Sequence, residues 1–300
     1  MNTKNKFFKW LIIPGAVIVG ISFFSAIYIE KIFSKRIHYK NPEFIISERQ
    51  RMIQKFGAQE VTLETKDKTQ IAGLYIKRPA AKRIFLICHG FKHSKEFVTG
   101  FLDIFPEDTI FFIDFRGHGQ SAGDQVSLGL NEYLDVIAAV EYIKTNVSAA
   151  MPLFGLGISM GGSAVMRAAA AGAPFNGIIS DSAPSSFKDT ISCVLQKTRH
   201  IPFPIGFLAL TWYEFEMACS LTASCYIQYA AKITCPVLIM HDEHDHLINY
   251  KHAEKIFDSL ASTCKMLYTP SGTRHGKMHQ QIPSEYKKVV EHFIDACCTR

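Results

Sequence analysis

Pro152-Leu153-Phe154-Gly155-Leu156-Gly157-Ile158-Ser159-Met160-Gly161-Gly162 is an apolar run that ends in G-x-S-x-G, and the rest of the chain is read against it. The residues up to Ile158 have the composition of a buried strand. Ala164-Val165-Met166-Arg167-Ala168-Ala169-Ala170-Ala171, just beyond, is a strong helix former. Ser159 therefore stands where a strand turns abruptly into a helix, the setting of a nucleophile elbow. A turn that pushes the serine Oγ outward brings the strand and helix backbones together, so positions 157 and 161 must be small. The N–H groups that open the helix, Met160 first, then face any oxyanion formed beside the serine.

Working outward, apolar strands alternate with helical stretches. Val61-Thr62-Leu63-Glu64-Thr65 and Ile71 to Ile76 flank Lys66-Asp67-Lys68 and predict an antiparallel hairpin. Strands are expected at 83–88, 109–113, 177–181, 236–240 and 265–268, with helices over 94–105, 131–146, 250–261 and 283–296. This rhythm predicts an α/β domain with a mostly parallel, doubly wound sheet whose site lies at the carboxyl ends of the strands. Residues 184–231 interrupt it with Pro202, Phe203, Pro204, Phe207, Trp212, Tyr213 and Phe215, an aromatic, helical insertion suited to a lid.

Ahead of the domain, a tail of residues 1–9 leads into Trp10 to Ile29, twenty residues without a formal charge. At about 1.5 Å per residue these span the roughly 30 Å of bilayer hydrocarbon. The expectation is a single-pass membrane anchor over 10–29. A cleaved signal peptide is the competing reading, but the apolar run is long and Phe24-Ser25-Ala26 lacks the small residue such cleavage wants. Lysines and arginines on the two sides nearly balance, so the orientation stays open. Residues 30–57 form a linker with one short helix, capped by Asn41-Pro42-Glu43 and stopped by Gly57. The α/β domain is expected over 58–300.

Composition sets outer bounds. The 300 residues are 48% hydrophobic and 20% charged, ample for a sizeable core, and the net charge of +6 is dispersed, which argues against a nucleic-acid partner. The eight cysteines show no C-x-x-C spacing, which speaks against zinc ribbons and thioredoxin-like chemistry. Cys193, Cys219 and Cys225 share the insertion and could pair in an oxidising compartment; Cys88 and Cys235 are expected to be buried.

A serine hydroxyl becomes a competent nucleophile when a histidine takes its proton, and the histidine needs a carboxylate to fix its tautomer. After the strand at 236–240 comes His241-Asp242-Glu243-His244-Asp245-His246, and after 265–268 comes Thr273-Arg274-His275-Gly276, the chain order Ser, Asp, His. His241 to His246 also resembles a metal site, but no H-E-x-x-H exists and no metal or organic cofactor is expected.

With His89-Gly90, Asp114-x-Arg116-Gly117-His118-Gly119-x-Ser121, Gly157-x-Ser159-Met160-Gly161, His241-x-x-x-Asp245 and His275-Gly276 in one order, the chain resembles the α/β-hydrolases. The likeness is to the serine-aminopeptidase and monoglyceride-lipase-like group, in particular its membrane-anchored members. The resemblance implies Ser159 as nucleophile, Asp245 as acid with Asp242 and Asp181 as alternatives, and His275 as base with His279 as alternative. It implies an oxyanion hole from the N–H groups of Phe91 and Met160. The expected substrate is a small-molecule or lipid acyl ester or thioester, with a peptide or amide as the rival and an acyl-binding scaffold as a third reading. Asp114, Arg116 and His118 are expected to brace the rim, and Glu132 and Asp135 to lie on a helix surface or pair locally. Asp67-Lys68 stands where relatives carry Asp-Gly, a change expected to affect only the turn. Oligomeric state is not legible.

Overall fold

Runs of unbroken apolar residues need two covered faces, and the strands that have them form the middle of one sheet. In the computed structural model, β3 (Ile84–Cys88), β4 (Thr109–Ile113), β5 (Leu153–Ile158) and β6 (Gly177–Asp181) are buried along their whole length. With β1 (Gln59–Glu64), β2 (Gln70–Ile76), β7 (Val237–Met240) and β8 (Lys265–Tyr268) they make an eight-stranded sheet of order β1-β2-β4-β3-β5-β6-β7-β8. Strands β3 to β8 pair parallel; β1 and β2 form the expected hairpin, and β2 runs antiparallel to β4.

The structure describes residues 35–186 and 226–298, with isolated positions at 20, 23, 24, 27, 188 and 211. The chain divides into a unit of residues 36–185 with 226–300, which holds the sheet, and a second of 1–35 with 186–225. The expected anchor over 10–29 and most of the expected lid over 184–231 lie outside the described residues. Among those described, no helix is long and apolar enough to cross a membrane.

The helix Pro42–Phe56 begins and ends as its sequence requires. Asn41 Oδ1 accepts from the Phe44 N–H at its start, and Gly57 closes it with φ 65°. Over the sheet, Pro283–Cys297 buries Tyr286, Val290, Phe293 and Ile294, and Met160–Ala170, which packs on β5 and β6, buries Ala164, Val165 and Ala168. Phe85 on β3 stacks on Phe105 at 4.4 Å between ring centres, at the heart of the main apolar cluster.

Two helices differ from expectation. The stretch over 94–105 is a 3₁₀ turn, Lys95–Val98, and a separate short helix, Phe101–Ile104. Tertiary contacts explain the break: the Lys95 N–H donates to Asp114 Oδ1 and its Nζ to Asp114 Oδ2 at 2.6 Å, so this end of the segment is bound to the sheet. The stretch over 131–146 is helical over Glu132–Tyr142 and ends in a π turn, Ile143–Val147. Glu132 and Asp135 on that helix are fully buried, which corrects the surface reading and leaves the pairing one. The Glu132 carboxylate accepts from the Ser127 N–H, the Ser127 hydroxyl and the Gly129 N–H, while Asp135 holds Arg116. An unpaired carboxylate could not be buried there without a large desolvation cost.

Among the described residues a disulfide between Cys264 and Cys297 joins the lead-in to β8 to the last turn of the C-terminal helix, a pairing that spacing alone did not suggest; Cys193, Cys219 and Cys225 lie outside the described residues. Cys88 is buried, whereas Cys235 is only partly so.

Candidate active site

Ser159 sits at the turn between β5 and the helix Met160–Ala170. Its φ of 53° and ψ of −114° lie outside the regions that an L-residue adopts readily. The turn is held by the Ser159 N–H, which donates to the Asp181 carbonyl at 2.7 Å, and by packing with no room for side chains. A Cβ at Gly157 would lie 2.3 Å from the Gly161 carbonyl, and one at Gly161 would lie 2.3 Å from the Cys88 carbonyl. The glycine spacing in the sequence thus reflects contact between backbones.

Loops after β7 and β8 bring two more side chains to this point. His275 Nε2 is 2.9 Å from Ser159 Oγ, and His275 Nδ1 is 2.6 Å from Asp245 Oδ2. With Nδ1–H donated to the carboxylate, Nε2 is free to accept the serine proton. Asp245 is itself well braced: Oδ1 accepts from the N–H groups of Leu247 and Ile248, and His241 Nε2 lies 3.3 Å from Oδ2. Burial alone would raise this carboxyl's pKa, but the hydrogen bonds from His241, His275 and the backbone outweigh it and hold the group well below the usual carboxylate range.

The alternatives have other partners. Asp242 Oδ2 accepts from the Thr273 N–H and hydroxyl, and its Oδ1 from the His244 N–H, so it shapes the loop before His275. Asp181 is fully buried and takes the Ser182 hydroxyl at 2.7 Å; burial pushes its pKa up to about 6. Ser182 Oγ in turn accepts from the Gly276 N–H, next to His275. His279 is buried against Phe101, 4.8 Å between ring centres, and burial pushes its pKa down to about 3. The His241 to His246 loop is likewise engaged. His241 meets Ile248 O and Asp245, and His244 Nδ1 meets the Ser271 hydroxyl.

On the other side of Ser159, the loop after β3 approaches so closely that a Cβ at Gly90 would lie 3.6 Å from the serine Cβ. His89 Nε2 accepts from the Phe115 N–H at 3.1 Å, so Nδ1 carries the proton and donates to the Gly90 carbonyl at 2.8 Å. Burial and the neighbouring His118 hold His89 neutral, with its pKa pushed down to about 3. The His93 N–H also donates to the Gly90 carbonyl. A trans peptide sets its C=O and the following N–H in opposite directions, so fixing the Gly90 oxygen also fixes the Phe91 N–H. Met160, as the first helical residue, has an N–H with no acceptor inside its helix.

An eight-stranded, mostly parallel sheet with a strained serine between β5 and its helix, and with histidine and aspartate after β8 and β7, matches known structures over most of its length. The Pyrococcus furiosus esterase Pf2001 overlays with a TM-score of 0.68 at 18% identity, covering 87% of this chain and 95% of that one. The fold is that of the α/β-hydrolases. A family profile described as serine aminopeptidase, S33, matches residues 79–202 of this hydrolase fold. Among relatives, the uncharacterised protein YqkD of Bacillus subtilis is 26% identical over 235 residues, 75% of each chain. The lysophosphatidylserine lipase ABHD12 of Danio rerio is 24% identical over 183 residues, 56% of this chain and 45% of that protein.

Some contacts around the site left no recognisable trace in the sequence. Asp67 reaches Arg116 at 2.6 Å, and Arg116 also binds Asp135, so this hairpin aspartate anchors the loop after β4. His241 supports Asp245 directly; its strand-end position four residues before Asp245 was the only signal.

Proposed function

We propose that this protein is a serine hydrolase that cleaves carboxylic esters or thioesters of acyl chains by acyl transfer. The observation that carries the reading is the double contact of His275, with Ser159 Oγ at one nitrogen and Asp245 at the other. In the first step Ser159 Oγ bonds to the substrate carbonyl carbon as its proton passes to His275 Nε2. Asp245 stabilises the imidazolium, and the N–H groups of Phe91 and Met160 receive the oxyanion. Collapse expels the alcohol or thiol, which takes the proton from His275 and leaves an acyl-serine. Water, deprotonated by the same nitrogen, then releases the acid and restores the serine. No metal or cofactor enters.

The preference for acyl esters draws on the likeness to esterases and to a lipase, and on residues 10–29, which as a membrane anchor would keep the site beside lipid. The family profile's description as an aminopeptidase favours a second reading, cleavage of an amide by the same steps.

Full-length wild type and Ser159→Ala, both in detergent, decide the matter with a fluorophosphonate probe and p-nitrophenyl esters of increasing chain length, beside aminoacyl p-nitroanilides. The expected result is labelling of wild type only, and a loss of at least ~10³-fold in ester turnover by the variant at unchanged circular dichroism. Ester cleavage retained by Ser159→Ala would refute the assignment. Turnover of the anilides but not the esters would select the amidase.

A further inference from the structure

The segment Arg36–Tyr39, ahead of the first helix and of the family-matched region, is bound to the loop after β4 and to the loop after β3 that lies beside Ser159. Arg36 donates through Nη1 to the carbonyls of Ser121 at 2.8 Å and Gly123 at 3.0 Å, and through Nη2 to Gly119 at 3.0 Å. The Arg36 and Ile37 N–H groups donate to the carbonyls of Asp124 and Gly117. Five hydrogen bonds thus lay this segment along the loop that follows β4. At its end, the Tyr39 hydroxyl donates to the His93 carbonyl at 2.6 Å and accepts from the Gly119 N–H at 3.1 Å. Phe97 packs on both sides of this bridge, stacked on Tyr39 and edge-on to His93.

His93 ends the turn that sets the Phe91 amide. Its N–H reaches back to the Gly90 carbonyl, and Lys92 between them has φ 62°, a conformation that a lysine adopts only when its surroundings enforce it. We propose that Tyr39 is a positioning residue for the oxyanion hole, its hydroxyl tying the His93 carbonyl to the Gly119 amide and so holding the Gly90–His93 turn against Ser159. This rests on the serine-hydrolase reading. It extends the site to a stretch that the sequence marks only as linker. Burial and the nearby Asp114 carboxylate raise the phenol's pKa, so the hydroxyl keeps the proton it donates.

Tyr39→Phe removes the hydroxyl and keeps the ring on Phe97. In the full-length protein, kcat for p-nitrophenyl butyrate should fall by roughly 10- to 100-fold, less than the loss of an oxyanion donor outright, with KM little changed. Affinity for an acyl trifluoromethyl ketone, whose serine adduct carries an oxyanion, should fall in parallel, at a melting temperature close to that of wild type. A kcat and ketone affinity both within about twofold of wild type would overturn the proposal, as would a fall in kcat with ketone affinity intact. If Tyr39→Phe does not fold, Arg36→Gln, which frees the segment while leaving the bridge's own atoms in place, should show the same parallel fall; unchanged values there would overturn it equally. A wild type that neither labels nor cleaves any ester would bring down the hydrolase reading itself, an outcome distinct from an active wild type matched by Tyr39→Phe.

Discussion

At the scale of single residues, the carboxylates around Ser159 divide by what each one touches. Asp245 has donors on both oxygens and stays ionised, whereas Asp181 takes the Ser182 hydroxyl on one oxygen and has Tyr286 nearby, whose ionisation it opposes. An aspartate that titrates at 3.8 when exposed and at about 6 when folded binds its proton more tightly in the native state. Stability is therefore lost as pH rises from about 4 to 6, and stays lost above that, by about 3 kcal/mol at 1.36 kcal/mol per pH unit. Asp181→Asn keeps an acceptor for Ser182 and cannot ionise. Its melting temperature relative to wild type should climb between pH 4 and 6 and level off beyond. A gap that stays constant across that range, followed by scanning calorimetry, would show that Asp181 does not titrate there.

At the scale of elements, the strand-turn-helix around Ser159 is set by backbone contact, and Gly161 is where that contact joins the elbow to β3. Since a Cβ there meets the Cys88 carbonyl at 2.3 Å, Gly161→Ala has to displace β3 and the loop that bears Phe91. Destabilisation of at least about 3 kcal/mol is expected, seen as loss of soluble protein or a much lower urea midpoint. Gly100 is the internal control: a Cβ there meets nothing within 4 Å and its φ is −57°. Gly100→Ala should be neutral or stabilising by about 0.5–1 kcal/mol, through the unfolded chain. If the two alanines cost the same in urea titrations, close packing is not what fixes the glycines.

At the scale of the whole molecule, the Cys264–Cys297 bridge closes a loop of 33 residues in sequence and ties β8 to the C-terminal helix. For a loop of that length the chain-entropy contribution is about 3–4 kcal/mol. Dithiothreitol should lower the melting temperature of wild type, and Cys264→Ser/Cys297→Ser should start at the lower value and not respond further. A wild-type melting temperature indifferent to reductant would rule the bridge out as a stabilising feature.

Most of the architecture was legible because it rests on local pattern. Apolar runs of four to seven residues separated by amphipathic stretches lead to a parallel sheet, and Gly157 and Gly161 around Ser159 state their own packing constraint. The order of Ser159, Asp245 and His275 along the chain was equally plain. Which carboxylate reaches His275 was not settled by the residues alone. Asp242 and Asp245 follow the end of β7 and Asp181 closes β6, and only the folded structure turns Asp242 to Thr273, Asp181 to Ser182, and Asp245 to His275. The same holds for Asp135, whose burial depends on Arg116 from the loop after β4, and for Cys264 with Cys297. Tyr39 is the extreme case, since its partners are backbone atoms 54 and 80 residues away. Local sequence dictates secondary structure and strained turns because those costs fall on neighbouring atoms. Pairing of polar groups across the chain is decided by tertiary structure, because a backbone carbonyl or amide offers the same partner whatever residue bears it.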